Sequence, residues 1–569
     1  MLHTLKPLIH APWLRTVLAT VIFVAVLYGY EMLVAKLGGF DNYRFFERWF
    51  ELGFVVYIYL ISYLILKPGR WRPLQAAFPI LLIYLVQDLF YHFYGKVFRA
   101  IEVLELPELL QVLPLTYSLP MVLILLLPLL WLLSSIDYQK RLLILIGTAP
   151  LLAIIALLEF MPQSYTSLID NHGNQITLYS DSFSVINNGR LTMLFYREAK
   201  RVEALAATQP YRNRDAYTAE NDQFAAQLQQ HSNQRNVHLI VLESFLDPTL
   251  FKKARFSQDP VHPDFKTLFG DHLGLSISPV FGGGTAQAEF EVLCGTPAME
   301  RLTSVEFNLF TGKSAECLPA IFNRLHYRTV ATNAYRPNFF NAIPAYKGTG
   351  FKETYFPREY AGSNPSYYSN GNDADDDYIF DGALLTQNAA FVEQHIHDHP
   401  GQPLVNYIMT VYGHTPHILD TRKRPELIQV IADHQDEHLQ RATNQFYYRT
   451  QAIAAYVRKL AAIDPQSIII FVSDHVPPLF YGPTTYEKLD YLNNREALPH
   501  LNRLMVIENG ETKLYKTTHH YELNSMVYNY ISGGHYCQNN RCPHLKPETA
   551  IAKEDYLKQY MRLMAHASE

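Results

Sequence analysis

"SIIIFVSDHVPP", Ser467–Pro478, decides how the second half of this chain is read. Ile468 to Val472 form an unbroken apolar run of strand length, and Asp474 and His475 stand just beyond it. A strand without polar alternation is one covered on both faces, as in a parallel sheet flanked by helices. The same texture recurs in "VHLIVLE" (237–243), "YRTVATNA" (327–334) and "PLVNYIMTVYG" (403–413). Longer helix-patterned stretches separate them, such as "QFYYRTQAIAAYVRKLAAI" (445–463). Strands alternating with helices predict an α/β domain built on a central, mostly parallel sheet. In such sheets ligands bind beyond the carboxyl ends of the strands.

What stands at those ends is chemically coherent. Glu243 closes the first strand, Asp474 and His475 close the last, and His414 and His417 follow a third in "GHTPH". Carboxylate plus imidazole suits Mn²⁺ or Zn²⁺. A second stretch, "SPVFGGGTAQAEFEVLCG" (Ser278–Gly295), places three glycines before Thr285 and a helical pattern after it. Glycines let backbone amides converge on an anion, and a helix N-terminus favours negative charge. A threonine hydroxyl becomes a competent nucleophile when a metal lowers its pKa. Thr285 is therefore expected to complete a shell with Glu243, Asp474 and His475; its competing role is a helix N-cap.

The first part of the chain has a different texture. Leu110 to Ile136 carries no charged residue and is long enough to span hydrocarbon. Shorter apolar runs lie at Thr16–Ala35, Leu52–Leu66, Leu74–Val86 and Leu142–Leu158. Together they predict five transmembrane helices. Lys6, Arg15, Lys67, Arg70, Arg72, Lys140 and Arg141 fall on one side of that arrangement. Lys36, Arg44, Arg48, Lys96 and Arg99 fall on the other, spread among acids. The bias puts the N-terminus in the cytoplasm and the chain beyond Met161 outside. Glu31 and Asp88 lie near predicted helix ends, where interfacial water is expected to solvate them.

The expected domains are a transmembrane unit over 1–160, a connector over 161–236 and a catalytic unit over 237–569. Within the connector, "NNGRLTMLFYREAKRVEALAA" (187–207) has helical spacing suited either to a membrane surface or to packing on the soluble domain. The following polar stretch to Asn236 reads as linker. A net charge of −5 over 569 residues excludes a global basic footprint for nucleic acid. The four cysteines contain no C-x-x-C pair, which argues against a thiolate zinc site. Their even number fits two disulfides in an exported domain, Cys294 with Cys317 and Cys537 with Cys542.

These residues carry a resemblance. "IVLESF", "FGGGTAQAEFEVLCG", "GHTPH" and "VSDH", in that order behind apolar helices, resemble the sulfatase/alkaline-phosphatase superfamily. More closely they resemble its lipoteichoic acid synthase branch of membrane phosphoglycerol transferases. The resemblance implies a five-helix transmembrane domain followed by an α/β sulfatase-like domain in the cytoplasmic membrane, with the catalytic domain extracytoplasmic. It implies Thr285 as the nucleophile that becomes phosphorylated, Glu243, Thr285, Asp474 and His475 as the metal shell, and His414 as a phosphate contact or proton carrier. His417, Arg336 and Asn341 are the further substrate-binding candidates. The implied cofactor is manganese, with zinc as the alternative. The implied donor is a membrane phospholipid, phosphatidylglycerol, and the acceptor a glycan or polymer hydroxyl; no nucleic-acid partner is implied. Phosphoethanolamine transferases share the layout, and a phosphodiester or sulfate-ester hydrolase is the other alternative. Two departures stand out. "CLPAI" at Cys317 lacks the arginine of the sulfatase C-x-P-x-R motif. Phe339, Phe340, Asn341 and Ala342 stand where the synthases show Phe-Trp-Asn-Arg, so that Arg336 is the candidate replacement.

Overall fold

A computed structural model describes residues 12–37, 39–94, 97–113, 115–176, 181–337, 339–494, 499–546 and 553–569, and all structural statements below concern these. Lys6 and Lys96 lie outside them. The chain divides into two compact units, with the break between Ala206 and Ala207.

In the first unit the apolar runs become helices α1 (Pro12–Lys36), α2 (Trp49–Ile65), α3 (Arg72–Tyr94), α4 (Leu115–Ser135) and α5 (Arg141–Phe160). Four of them, all but α2, are long and apolar enough to cross a membrane; α2 is apolar but has 17 residues. Where five spans were expected, the described residues hold four helices of spanning length and one shorter apolar helix. The run from Leu110 is also not continuous. A short helix, Leu106–Val112, ends at an extended Leu113 (ψ 130°), and α4 starts after it. Leu113 precedes a proline in the sequence, and a residue in that position is pushed out of the helical region.

Glu31 and Asp88 are not solvated helix ends. Both are buried, and the reason comes from the connector. Helix α6 (Arg190–Ala207) belongs to this unit, with Leu191 in the same core as Phe23, Val55 and Tyr84. The fully buried Arg190 guanidinium reaches Glu31 at 2.8 Å and Asp88 at 2.6 Å, and Arg48 holds the other oxygen of Glu31 at 2.8 Å. Glu51 accepts the amides of Arg190, Leu191 and Thr192 at 2.8–3.1 Å, so a carboxylate from α2 caps the start of α6. Gly189, at φ 96°, is where a side chain would collide with Glu51.

Removing one member of a buried charge network strands the others, at a cost of about 3–5 kcal/mol. Arg190→Met is expected to destabilise this unit by that amount, and adding Asp88→Asn to restore most of it, since Glu31 keeps Arg48 as its partner. The four tryptophans are Trp13, Trp49, Trp71 and Trp131, all in the first unit. Tryptophan fluorescence, excited where tyrosine does not absorb, therefore reports this unit alone during denaturation in detergent.

The second unit is an α/β domain. Its sheet contains β1 (Val237–Leu242), β2 (Gly274–Ile277), β3 (Arg328–Asn333), β4 (Glu353–Tyr355), β5 (Leu404–Met409), β6 (Ile468–Ser473), β7 (Leu501–Glu508), β8 (Glu511–Lys513) and β9 (Thr518–His519). The order is β9-β2-β7-β6-β1-β5-β3-β4, with β8 on β7. Strands β6, β1, β5, β3 and β4 are mutually parallel, and β7 is antiparallel to β6, β2 and β8. The three central strands β6, β1 and β5 are buried at every position. Helix α7 (Thr285–Cys294) follows β2 in the chain, and α8 (Glu437–Ile463) packs Phe446, Ile453, Val457 and Leu460 into the core containing Ile240, Ile408 and Phe471. Disulfides join Cys294 to Cys317 and Cys537 to Cys542, the expected pairs.

Candidate active site

Parallel pairing brings the carboxyl ends of β6, β1 and β5 to one edge. Leu242 lies opposite Ser473 and Val241 opposite Met409, so Glu243, Asp474 and Thr410 emerge together. Ligand atoms of Glu243, Asp474 and His475 all lie within 4.8 Å of one another, and all three residues are buried. The Thr285 hydroxyl donates to Glu243 Oε2 at 3.1 Å and lies 3.5 Å from His475 Nε2. The N-cap of α7 is Gly284 in left-handed conformation (φ 81°), not Thr285. The triple glycine thus bends the chain into α7 and frees the threonine side chain to face the cluster.

Neighbouring backbone orients each group. Ser244 takes up φ 46°, a costly conformation for a non-glycine residue. That turn aims its amide at Asp474 Oδ1 (2.7 Å) and its hydroxyl at Glu243 Oε1 (2.8 Å). His475 Nδ1 is 3.0 Å from the Val476 carbonyl, which keeps the proton on Nδ1 and leaves Nε2 as a lone-pair donor toward the cluster. His414 Nδ1 is 2.7 Å from the Thr415 carbonyl, with the same consequence for its Nε2.

The donor set fits a divalent cation. Asp474 Oδ2 is buried and makes no hydrogen bond, although His475 Nε2 lies 3.2 Å away. Burial pushes Asp474 up to about 7; it also raises Glu243, which the neighbouring Asp474 raises further while His414 and His475 oppose the shift. Two buried carboxylates beside an imidazole and a hydroxyl, with an orphaned oxygen among them, are stabilised by a positive ion at their centre. The other convergence of cysteine and histidine, Cys537, Cys542 and His544, has its two sulfurs bonded to each other.

Four further residues, His414, His417, Arg336 and Asn341, are the substrate-side candidates. The Tyr378 hydroxyl lies 3.5 Å from His414 Nδ1, and the Tyr378 ring is 6.0 Å from Tyr335. Arg336, beyond the end of β3, lies over the rings of Tyr335 (5.5 Å) and Tyr360 (5.3 Å), and its Nε is buried without a hydrogen-bond partner. His417 sits deeper: it is wholly buried, 6.0 Å from the ring of His438, and burial lowers its pKa well below the ordinary range. Asn341 starts the helix Ala342–Thr349 and donates to the carbonyls of Phe307 and Phe310 at 2.7 and 2.8 Å.

Two supports were not read from the sequence. Arg449 on α8 is buried, bonds Asp381 at 2.7 Å and lies against the Ser244 carbonyl. A Cβ at Gly413 would strike both this guanidinium and the Glu243 carbonyl, so only glycine fits where β5 gives way to the His414 loop. The signal for Arg449 was present: it lies on the apolar face of α8, three residues after Phe446 and four before Ile453. The second support is Glu289, one helical turn after Thr285, which accepts the hydroxyls of Tyr346 (2.5 Å) and Tyr407 (2.7 Å). Burial pushes its carboxyl from 4.5 up to about 7. The folded state then binds a proton that the unfolded chain releases, so this contribution is full below pH 4.5 and is lost as pH rises through about 7. Glu289→Gln is expected to flatten the stability profile over that window by about 1–3 kcal/mol. Denaturant titrations at closely spaced pH values check it; an unaltered slope refutes it.

The comparisons with known proteins agree with this architecture. The sulfatase family model matches residues 235–531. A putative cyclic beta-1,2-glucan modification protein of Rhizobium meliloti (strain 1021) is 26% identical over 275 residues, 45% of this chain and only 38% of that relative's length. Among solved structures, the Streptococcus pyogenes phosphoglycerol transferase GacH is 16% identical, with a TM-score of 0.45 over 64% of this chain and 92% of that one. The lipoteichoic acid synthase LtaP of Listeria monocytogenes is 17% identical, with a TM-score of 0.41 over 53% of this chain and 72% of that one. With strands, strand-end ligands and matched span in agreement, the chain belongs to the sulfatase family, carried behind apolar helices of membrane-spanning length.

Proposed function

We propose that this protein is a metal-dependent transferase that moves a phosphoglycerol headgroup from phosphatidylglycerol to a glycan hydroxyl, through a phosphoester on Thr285. The observation that carries this reading is the Thr285 hydroxyl itself, turned away from capping its helix and onto Glu243 and His475. Glu243, Thr285, Asp474 and His475 would hold the cation, manganese with zinc as the alternative, which when bound would lower the pKa of the threonine hydroxyl and supply positive charge beside the phosphate. A donor that is a membrane lipid accounts for the apolar helices in the same chain.

Thr285 Oγ attacks phosphorus, a Thr285–phosphorus bond forms, and the ester bond to diacylglycerol breaks. The threonine proton ends on the departing diacylglycerol oxygen. The glycan hydroxyl oxygen then attacks phosphorus, the Thr285 Oγ–phosphorus bond breaks, and the hydroxyl's proton returns to Thr285 Oγ. His414, with its Nδ1 held by the Thr415 carbonyl and Nε2 open to a proton, guides the proton of the glycan hydroxyl in the second half. The buried Arg336 Nε, seated on two tyrosine rings, is the cation for the headgroup phosphate in place of the arginine missing after Asn341. Its different position is the reason to keep ethanolamine as a second headgroup. The glycan acceptor is favoured by the name of the Rhizobium meliloti relative.

The two disulfides support an extracytoplasmic catalytic unit, because such bonds persist in oxidising compartments. From a cytoplasmic N-terminus, four crossings would return the chain to the cytoplasm and a fifth, supplied by α2, would not. We accordingly read α2 as a span. Incubating the purified protein with phosphatidylglycerol or phosphatidylethanolamine in separate vesicles, with a glucan present, tests the whole reading. Diacylglycerol and a glycerophosphate-bearing glucan are expected from the first vesicles only; neither product from either lipid overturns it.

A further inference from the structure

The chain leaving Asp474 and His475 stays buried through Val476 and Leu479 and reaches solvent at Phe480. Pro478 lies against Gly282 of the glycine turn, and Phe480 and Tyr481 follow, 50% and 49% exposed. They belong to an ordered loop. Both backbone amides donate to the Asp436 carboxylate, the Phe480 ring lies 5.5 Å from His438, and the Tyr481 ring lies 5.1 Å from His434. Beside them Val430–Ile431 pairs antiparallel with Arg255–Phe256, so that Ile431, 55% exposed, stands across from an exposed Arg255. The exposed Lys252 and Lys253 precede this ladder and bond through their amides to the carbonyls of Asp490 and Leu489. One apolar cluster, with Phe251, Phe281, Val476, Leu479 and Leu489 buried and Val430 against them, underlies all three segments. The exposed charges on these segments are Lys252, Lys253, Arg255 and Lys488, with Asp433, Glu437 and Glu487 as the acids, Glu437 being paired with Arg441.

We propose that this surface is the face by which the catalytic unit rests on a phospholipid bilayer while the donor's headgroup enters the site. The inference rests on the lipid-donor reading above. In a phospholipid the reacting phosphorus is one ester bond from the glycerol that carries the acyl chains. A lipid whose chains stay in the bilayer can bring phosphorus to Thr285 only if the mouth of the site lies at the membrane surface. Phe480 and Tyr481 are the exposed aromatics of the loop that starts at His475 and touches the glycine turn before Thr285. Aromatic rings at the headgroup level, an aliphatic residue beside them and lysines and arginine whose ends reach anionic phosphates are what an interfacial surface requires.

The four native cysteines are paired, so Phe480→Cys supplies a single thiol for a fluorescent label in the full-length protein. His397→Cys, at a side chain 87% exposed on the helix Asp381–Asp398, is the reference. In vesicles containing phosphatidylglycerol and a shallow spin-labelled phospholipid, quenching at 480 is expected to exceed that at 397 by about threefold or more. Equal quenching overturns the bilayer contact. So does a label blind to lipid but shielded by added glucan, which would assign the patch to the acceptor. A second measurement uses Phe480→Ser with Tyr481→Ser. The ratio of turnover on phosphatidylglycerol vesicles to turnover on a water-soluble glycerol phosphodiester without acyl chains is expected to fall about tenfold; an unchanged ratio overturns the proposal. Quenching requires no turnover. Quenching of the labelled Phe480→Cys protein, with no diacylglycerol released by the wild-type protein, therefore refutes the donor reading and leaves the bilayer contact standing.

Discussion

Thr285→Ala is expected to abolish diacylglycerol release, by roughly 10³-fold or more, with little change in stability. The asymmetry follows from where the hydroxyl points. Gly284 is the N-cap of the helix, so alanine at 285 removes no cap, and alanine is at least as good a helix former as threonine. What disappears is the oxygen 3.1 Å from Glu243 and 3.5 Å from His475. Thr285→Ser keeps that oxygen and is expected to retain part of the turnover. His414→Ala retains the nucleophile but loses the proton carrier, so phosphorylated enzyme is expected to accumulate. Mass spectrometry of protein incubated with phosphatidylglycerol should place a glycerophosphate on the peptide containing Thr285 in wild type and more of it in His414→Ala. Release of diacylglycerol by Thr285→Ala at the wild-type rate would show that the hydroxyl has no part in the reaction.

The second large effect has opposite signs on stability and activity. Asp474→Asn keeps the size of the side chain and an acceptor for the Ser244 amide, but removes a charge that lies buried with Glu243. Metal affinity is expected to fall by more than about 100-fold, the upper end of what losing a mere outer partner costs. Turnover falls with it. The protein stripped of metal, however, is expected to gain about 1–3 kcal/mol, because a buried carboxylate without a cation costs more than a buried amide with partners. Glu243→Gln should behave alike, while His475→Ala loses metal without that gain. Thermal unfolding in chelator and again with added Mn²⁺ or Zn²⁺ separates the two effects. A variant that binds metal at wild-type affinity removes Asp474 from the shell.

The local parts of this molecule were legible. Ile468–Val472 is apolar at every position because both faces of β6 are covered, and a polar pair after such a run has no face left to occupy except the sheet edge. Glu243 after β1 obeys the same constraint. The glycine turn before Thr285 was readable because left-handed backbone at Gly282 and Gly284 excludes most other residues. The break at Leu113 was equally local, one residue ahead of a proline, and the apolar composition of the run obscured it.

What depended on distance was not legible. Sequence placed Glu31 and Asp88 near water; the fold buries them, because Arg190 arrives from more than 100 residues along the chain to neutralise both. Arg449 and Gly413 behind Glu243, and the two tyrosines on Glu289, are partners of the same kind. The sequence by itself determined which side chains end the strands, since a covered strand and a glycine turn are short-range demands on the backbone. Only the tertiary structure decided which buried charges are neutralised and by which partners, because a charge out of water takes its stability from whatever the fold sets within a few ångströms of it.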